Sequence, residues 1–210
     1  MKNFLLVDDH EIVRNGLRLV LKEFYPTCNV DEAGNEQAAM QLLSAGNYDL
    51  VILDIHLPAS DSIRLTEFIR RTAKTSRILI YSMGQESIYA RRFLKSGAAG
   101  FVSKNSSLTD LRKAIETVLN GRTYLSSEVL EQLADDLGHS RKENPFESLS
   151  AREFEVATLL MNDHSITQAA EIMGIGVSTA ATHKARLFEK LHVKTIGELI
   201  KLADLYGARK

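Results

Sequence analysis

The chain has 210 residues, enough for one or two domains. An apolar fraction of 44%, a charged fraction of 25% and a net charge of -1 place it among ordinary soluble proteins. No run approaches the roughly 18 apolar residues of a membrane span, and a neutral total leaves room for a local basic patch that meets nucleic acid.

The N-terminus, M-K-N-F-L-L-V-D-D, carries a single lysine and a run too short for the apolar core of a signal peptide. Cys28 is the single cysteine, so no internal disulfide can form and a reducing cytoplasm is expected. Lys2 to Val7 is a short apolar run that reads as a buried strand. It ends in Asp8-Asp9-His10, and the lesser alternative, which can coexist with metal binding, is that Asp8 or Asp9 caps the helix that starts near Glu11. That helix runs to Phe24, with Ile12, Val13, Leu17, Leu19, Val20, Leu21 and Phe24 at helical spacing, and Tyr25-Pro26-Thr27 ends it. Cys28 to Ala33 is a weak strand, and Asn35 to Ala45 a helix stopped by Gly46.

Tyr48 to Pro58, Y-D-L-V-I-L-D-I-H-L-P, is the informative stretch. Leu50 to Leu53 is uncharged and reads as a strand buried on both faces. An unpaired charge inside such a strand is too costly, so Asp54 belongs at its carboxyl end, where an open parallel sheet binds ligands. A helix capped by Asp61 follows to Thr72. Then come a strand at Arg77–Ser82, a helix at Glu86–Lys95 ended by Gly97, a strand at Ala98–Ser103, and a helix at Leu108–Leu119 ended by Gly121. This alternation predicts a doubly wound parallel sheet. The strand ends then gather Asp8, Asp9, Asp54, Ser82 and Lys104 on one edge. Carboxylates this close repel unless a cation sits among them, and hard oxygen donors suit Mg²⁺. The set reads as a phosphoryl-handling site with Asp54 as nucleophile, Lys104 as a point charge and Ser82 as a movable hydroxyl.

On V-D-D-H at 7–10, L-D-I-H-L-P at 53–58, Ser82 and G-A-A-G-F-V-S-K at 97–104, residues 1 to about 122 resemble a bacterial response-regulator receiver domain. The resemblance implies a flavodoxin-like fold with a five-stranded parallel sheet in the order 2-1-3-4-5. It implies Asp54 as phospho-acceptor, with Asp8, Asp9, Asp54 and the backbone carbonyl of His56 around Mg²⁺. It implies Ser82 and Lys104 as phosphate ligands, and Phe101 as the aromatic whose inward swing accompanies phosphorylation. A plain core aromatic is the alternative for Phe101. The loop A-S-D-S lacks the glycine usual near Ser62, and Phe101 stands where tyrosine is commoner.

Ser126 or Ser127 caps a helix carrying Val129, Leu130, Leu133 and Leu137, and Gly138 to Ser148 reads as a flexible linker. The domains expected are thus 1–122, a connecting segment 123–147, and 148–210. The last part is helical throughout. Ser150 with Glu153 and Ser165 with Gln168 form capping boxes. Gly174-Ile175-Gly176 is a tight turn, Ser178 caps a third helix to Leu191, and a fourth spans about Thr195 to Tyr206. Helix, short helix, glycine turn and helix make a helix-turn-helix, whose third helix would enter a DNA major groove. Its polar side offers Thr179, Thr182, His183, Lys184, Arg186 and Lys190.

Residues 149 to about 206 resemble the LuxR-type, or NarL/FixJ-type, DNA-binding domain, on L-S-A-R-E-F-E-V at 149–156, I-G-V-S-T-A-A-T-H-K-A-R at 175–186 and L-F-E-K-L-H-V-K at 187–194. The resemblance implies Glu153 as a structural acid and Thr179 as a phosphate contact. Ala180 replaces the usual valine, and Ile166 the usual asparagine. Two positions that often read bases are Ala181 and Ala185, so Thr182, Lys184 and Arg186 are expected to carry more of the contact. The expectation is a non-enzymatic two-component response regulator and transcription factor. A sensor histidine kinase is its phosphodonor, double-stranded DNA its target and a phosphorylated homodimer its working form. One alternative is a regulator that ignores phosphorylation and uses the receiver as a dimerisation platform. Another is an Asp-nucleophile phosphatase, but that chemistry usually places a second Asp where His56 stands.

Overall fold

Short apolar runs fold as strands because each has both faces covered. The computed structural model describes residues 1–57, 60, 62–83, 86–127, 129–131 and 144–206. The chain divides into two compact units, Met1–Gly138 and His139–Lys210.

In the first unit, β1 (Asn3–Val7), β2 (Asn29–Ala33), β3 (Leu50–Leu53), β4 (Arg77–Ser82) and β5 (Gly100–Ser103) form one parallel sheet in the order β2-β1-β3-β4-β5. Helices α1 (Glu11–Phe24), α2 (Glu36–Ala45), α3 (Ser62–Thr72), α4 (Glu86–Ser96) and α5 (Leu108–Leu119) connect and follow the strands. Side chains alternate across a strand, so each strand serves two cores. Phe4, Leu6, Ile52, Leu79 and Val102 pack with Leu17 and Leu21 of α1 and with Leu111, Ile115 and Val118 of α5. Val7, Val51, Leu53, Ile78, Ile80 and Phe101 are buried on the other face. Each such aliphatic side chain contributes about 1.5–3 kcal/mol by leaving water. The order reverses between β1 and β3, which opens a crevice at their carboxyl ends.

Three strands are shorter than expected, and β1 begins one residue late, at Asn3. The Cys28 N–H turns back to Tyr25 O at 2.9 Å, so β2 begins at Asn29. The Ala98 N–H bonds to Phe93 O at 2.8 Å, closing the end of α4, so β5 begins only at Gly100. Asn35, expected as the first helical residue, instead caps α2 by accepting from the Ala38 N–H. The expected Asp61 cap lies outside the described residues.

Beyond α5 the chain turns at Gly121, with φ +79°, and runs along the outer edge of β5. The Tyr124 N–H donates to Ala99 O at 3.0 Å, and the Phe101 N–H donates to Tyr124 O at 3.1 Å. The Ser126 N–H then donates to Glu86 Oε1 at 2.7 Å, at the first residue of α4. Ser126 Oγ accepts from the Val129 N–H at 3.3 Å, so the cap expected there forms. The rest of the helix expected to Leu137, and residues 138–143, lie outside the described residues.

The second unit holds a 3-10 helix (Pro145–Ser148) and α6 (Ala151–Met161), α7 (Ile166–Ile172), α8 (Val177–Leu191) and α9 (Ile196–Tyr206). Both predicted capping boxes form, Ser150 with Glu153 and Ser165 with Gln168. Gly174 takes φ +63°, which sets the turn before α8. Two expectations are corrected. Ser178 does not cap α8: the helix already begins at Val177, Gly176 holds the N-cap position, and no side chain bonds there. The described end of the expected linker is ordered, because Phe146 is buried and stacks edge-on to Phe154 with ring centres 6.2 Å apart.

Candidate functional site

Asp8 and Asp9 follow β1, Asp54 follows β3, Ser82 ends β4 and Lys104 follows β5, so the parallel register delivers them to one edge. Lys104 Nζ lies 2.6 Å from Asp8 Oδ2 and 2.7 Å from Asp54 Oδ2. Ser82 Oγ donates to Asp54 Oδ1 at 2.8 Å, and the His56 N–H reaches the same oxygen at 3.2 Å. Asp8 and Asp54 are each only 3% exposed, yet both carboxylates are held by charged or hydrogen-bonding groups.

Burial pushes the Asp54 carboxyl up, but His56 and Lys104 outweigh it and hold the group well below the ordinary carboxylate range. Burial depresses Lys104, and Asp54 and Asp8 more than restore it, so its pKa ends above the usual lysine value. Asp54 is therefore an anion and Lys104 a cation at neutral pH. An ionised, buried carboxylate beside a fixed ammonium can attack a phosphoryl group, and the ammonium can then hold a phosphoryl oxygen.

The ligand atoms of Asp8, Asp9, His10 and Asp54 all lie within 4.8 Å of one another. Asp9 Oδ1 is buried and accepts no hydrogen bond among the described residues; His10 Nδ1 is 2.9 Å away without hydrogen-bond geometry. An oxygen-rich set with an unsatisfied carboxylate oxygen fits a hard divalent cation such as Mg²⁺. Asp8 also accepts from the His10 N–H at 2.8 Å, while the N-cap of α1 is His10 itself with no side-chain cap. Neither aspartate therefore caps α1 directly.

Three contributions were not legible as site features. The His56 ring, beyond its backbone, places Nδ1 2.9 Å from Ser82 Oγ. With the Ser82 hydrogen on Asp54, the imidazole is the donor. Arg14 Nη1 donates to the Asp8 carbonyl at 2.7 Å and its Nε to Glu32 Oε2 at 3.2 Å, bracing the β1–α1 turn. No spacing rule pairs Arg14 with the Asp8 carbonyl, because Asp8 lies outside α1. Ser62, where a glycine is usual, is buried and donates to Ile55 O at 2.6 Å, so its hydroxyl ties the loop after Asp54 to the start of α3. Phe101 is buried, with its ring inward.

On α8 the expected contact residues do not share one environment. Thr179, Thr182 and Arg186 are exposed, as are Ala181 and Ala185, and Thr182 Oγ1 donates back to Ser178 O at 2.9 Å. Lys184 Nζ lies 5.4 Å from the centre of the Phe188 ring. His183 is half-buried; burial depresses its pKa, and its Nδ1 is enclosed without a hydrogen-bond partner among the described residues. It sits against the unit's interior rather than on the open face expected. Lys190 is also redirected: its Nζ is 2.6 Å from Glu153 Oε2 and 3.3 Å from Ser148 O. Glu153 is 3% exposed; burial raises its pKa, but Lys190 and the Ser150 N–H bring it below the ordinary value. The Glu153–Lys190 pair thus fastens α8 to α6.

Residues 4–116 match the response regulator receiver domain family, and residues 147–203 match bacterial regulatory proteins of the luxR family. The response regulator UvrY of Escherichia coli (strain K12) is 29% identical over 208 residues, covering 99% of this chain and 95% of that protein. The fimbriae Z protein of Salmonella typhimurium is 33% identical over 199 residues, covering 95% of this chain and 94% of that protein. Among solved structures, a complex of the two-component response regulator RcsB with DNA aligns with a TM-score of 0.59 at 25% identity, covering 97% of this chain and 98% of that one. The chain therefore belongs to the response-regulator family, in the NarL/FixJ arrangement of a receiver domain followed by a luxR-type helix-turn-helix domain.

Proposed function

We propose that this chain is a phosphorylation-controlled transcription regulator of the cytoplasm, with Asp54 as the acceptor. A sensor histidine kinase supplies the phosphoryl group: the N–P bond of its phosphohistidine breaks as a bond forms from an Asp54 carboxylate oxygen. The observation that carries this reading is Lys104, whose ammonium bridges Asp8 and Asp54 while Ser82 bonds the other Asp54 oxygen. Asp8, Asp9, Asp54 and the His56 carbonyl are the groups that would hold Mg²⁺, which when bound offsets the charge of the acids and of the phosphoryl oxygens. Lys104 passes from a carboxylate to a phosphoryl oxygen and Ser82 turns toward another, while Phe101 already lies inward, so its ring has no swing left to make. These shifts bias two arrangements of the α4–β5–α5 face and favour a homodimer.

In the second unit, Thr179 would meet phosphate at the start of α8, while Thr182, Lys184 and Arg186 reach into the major groove of double-stranded DNA. RcsB in the solved complex is itself bound to DNA, which supports this use of the unit. His183 is half-buried and the exposed Lys190 pairs with buried Glu153, so we assign both to positioning α8. Functionally we divide the chain into a receiver at 1–122 and a DNA-binding part that starts at Asn144, where Phe146 already belongs to its core. The deciding test compares DNA affinity and solution mass with and without acetyl phosphate and Mg²⁺, for wild type and Asp54→Ala. Tighter binding and higher mass in wild type alone support the reading. A wild type that behaves like Asp54→Ala leaves the receiver as a dimerisation platform.

A further inference from the structure

The turn between β1 and α1 carries both Asp8 and Asp9, and the two are held very differently. Asp8 is fixed at each of its polar atoms. Its N–H donates to Ala33 O at 3.1 Å, its Oδ1 accepts from the His10 N–H at 2.8 Å, and its Oδ2 lies 2.6 Å from Lys104 Nζ. Its carbonyl accepts from Arg14 Nη1 at 2.7 Å. Asp9 has no comparable support: its Oδ1 is enclosed with no hydrogen-bond partner among the described residues. The direction of the Asp9 side chain is therefore left to its backbone. A peptide group is planar, so the Asp8 carbonyl and the Asp9 N–H turn as one rigid unit. Whatever grips the Asp8 carbonyl grips the peptide from which Asp9 projects.

Arg14 is itself aimed. Its Nε donates to Glu32 Oε2 at 3.2 Å on β2, and Arg18, one helical turn on, places its Nε 3.0 Å from Glu32 Oε1. Two cations at that spacing repel, and Glu32 between them removes the conflict. The Arg14 guanidinium also lies against the loop after β2, where a β-carbon on Gly34 would sit 3.6 Å from Nη1. The Arg14 side chain is 15% exposed, so solvent screens it less than a surface cation, and a planar fork held at two corners has little freedom to turn. From this arrangement we propose that Arg14 is a positioning residue for the divalent-cation site: steered by Glu32, it locks the peptide between Asp8 and Asp9, so that the Asp9 carboxylate is pre-set to receive Mg²⁺. The proposal rests on the Mg²⁺ assignment above. The bland account is a salt bridge that ties α1 to β2 and nothing more. The two accounts differ in sign. Arg14 is a cation beside an acidic site, so deleting a purely structural Arg14 removes repulsion and would tighten Mg²⁺ binding. Deleting a positioning Arg14 weakens it, because groups that orient metal ligands carry roughly 10–100-fold in metal affinity.

Titration calorimetry of the full chain with Mg²⁺ alone, without a phosphodonor, separates them. Arg14→Ala should raise the Mg²⁺ dissociation constant about tenfold despite the lost positive charge. Arg14→Lys keeps the charge and a donor but not the fork, and should raise it about threefold. This second variant keeps the test readable where Arg14→Ala does not fold. Arg18→Ala breaks the other Glu32 pair without touching Asp8, and should leave Mg²⁺ affinity within about twofold of wild type. If the Arg14 variants bind Mg²⁺ as tightly as wild type or tighter, Arg14 is only a structural tie: the proposal is overturned and the Mg²⁺ assignment stands. If Arg18→Ala weakens binding as much as Arg14→Ala, the effect belongs to the packing of α1 and not to the Asp8 carbonyl, and the proposal is likewise overturned. If wild type takes up no Mg²⁺, the metal assignment and the proposal fail together. If the affinities fall in the expected order while acetyl phosphate leaves Asp54 unmodified, the phosphorylation reading fails and the role of Arg14 stands.

Discussion

Lys104, just after β5, reaches Asp54, just after β3, with Nζ 2.7 Å from Oδ2, and it holds Asp8 in the same grip. Removing Lys104 leaves two buried carboxylates without their cation. Lys104→Ala should therefore lose about 3 kcal/mol of stability in a chelator. Added Mg²⁺ should recover much of that loss by supplying the missing charge. Asp54→Ala removes one of the repelling acids and should cost less. Urea unfolding midpoints with and without Mg²⁺ check this, and equal midpoints for wild type and Lys104→Ala in the chelator would refute it.

The same pair fixes a pH dependence. Asp54 is held below its ordinary value of 3.8, so its contribution is complete above that value and is lost as pH falls through the lower folded value. Lys104 is raised above 10.5, so its contribution is complete below that value and is lost only as pH rises through the folded value. The pair should add no slope between about pH 5 and about pH 9. Melting temperatures of wild type and Asp54→Asn should run parallel across that span, with the wild-type curve falling relative to the variant below about pH 4. A difference that stays constant into acid would show that the carboxylate is not held low.

Lys190 and Arg186 should separate by type of defect. Lys190→Ala leaves Glu153 buried with only the Ser150 N–H, and should destabilise the DNA-binding unit by about 1–3 kcal/mol. Arg186→Ala should leave melting nearly unchanged and, where it meets a phosphate, reduce the salt slope of DNA binding by about one. Unfolding and filter-binding titrations across salt concentrations distinguish the two. A purely binding defect in Lys190→Ala would return that residue to the DNA face.

Helix α7 spans Ile166–Ile172, so its start matters more than usual. Ser165→Ala removes the oxygen that accepts from the Gln168 N–H and should cost about 1 kcal/mol, read as a lower melting temperature of the second unit. Ser165→Asp keeps an acceptor there and should retain most of the stability.

The sheet and the acid edge were legible because both rest on local rules. A buried parallel strand must be apolar, and a charge at its end must face the crevice, so Val7–Asp8 and Leu53–Asp54 declare themselves. What stayed hidden depends on distance in sequence. Glu153 and Lys190 are 37 residues apart, and no spacing rule pairs them. Lys190 therefore looks like one more cation on a basic helix. His183 has the same difficulty, since the polar side of α8 is partly covered by the rest of its unit. Ser178 was misplaced by one turn logic against another: serine favours a cap, but Gly176 had already bent the chain into position. Phe146 was masked by polar neighbours in a stretch whose composition is that of a linker.

That buried phenylalanine has a practical reading. A fragment that begins at Leu149, where the helical pattern starts, would lack the ring that meets Phe154 and would open a void beside α6. A fragment that begins at Asn144 keeps both the ring and the Asn144 side chain that accepts from the Phe146 N–H at 3.0 Å. A fragment that loses Asn144 and Phe146 should hold α8 less firmly than one that keeps them.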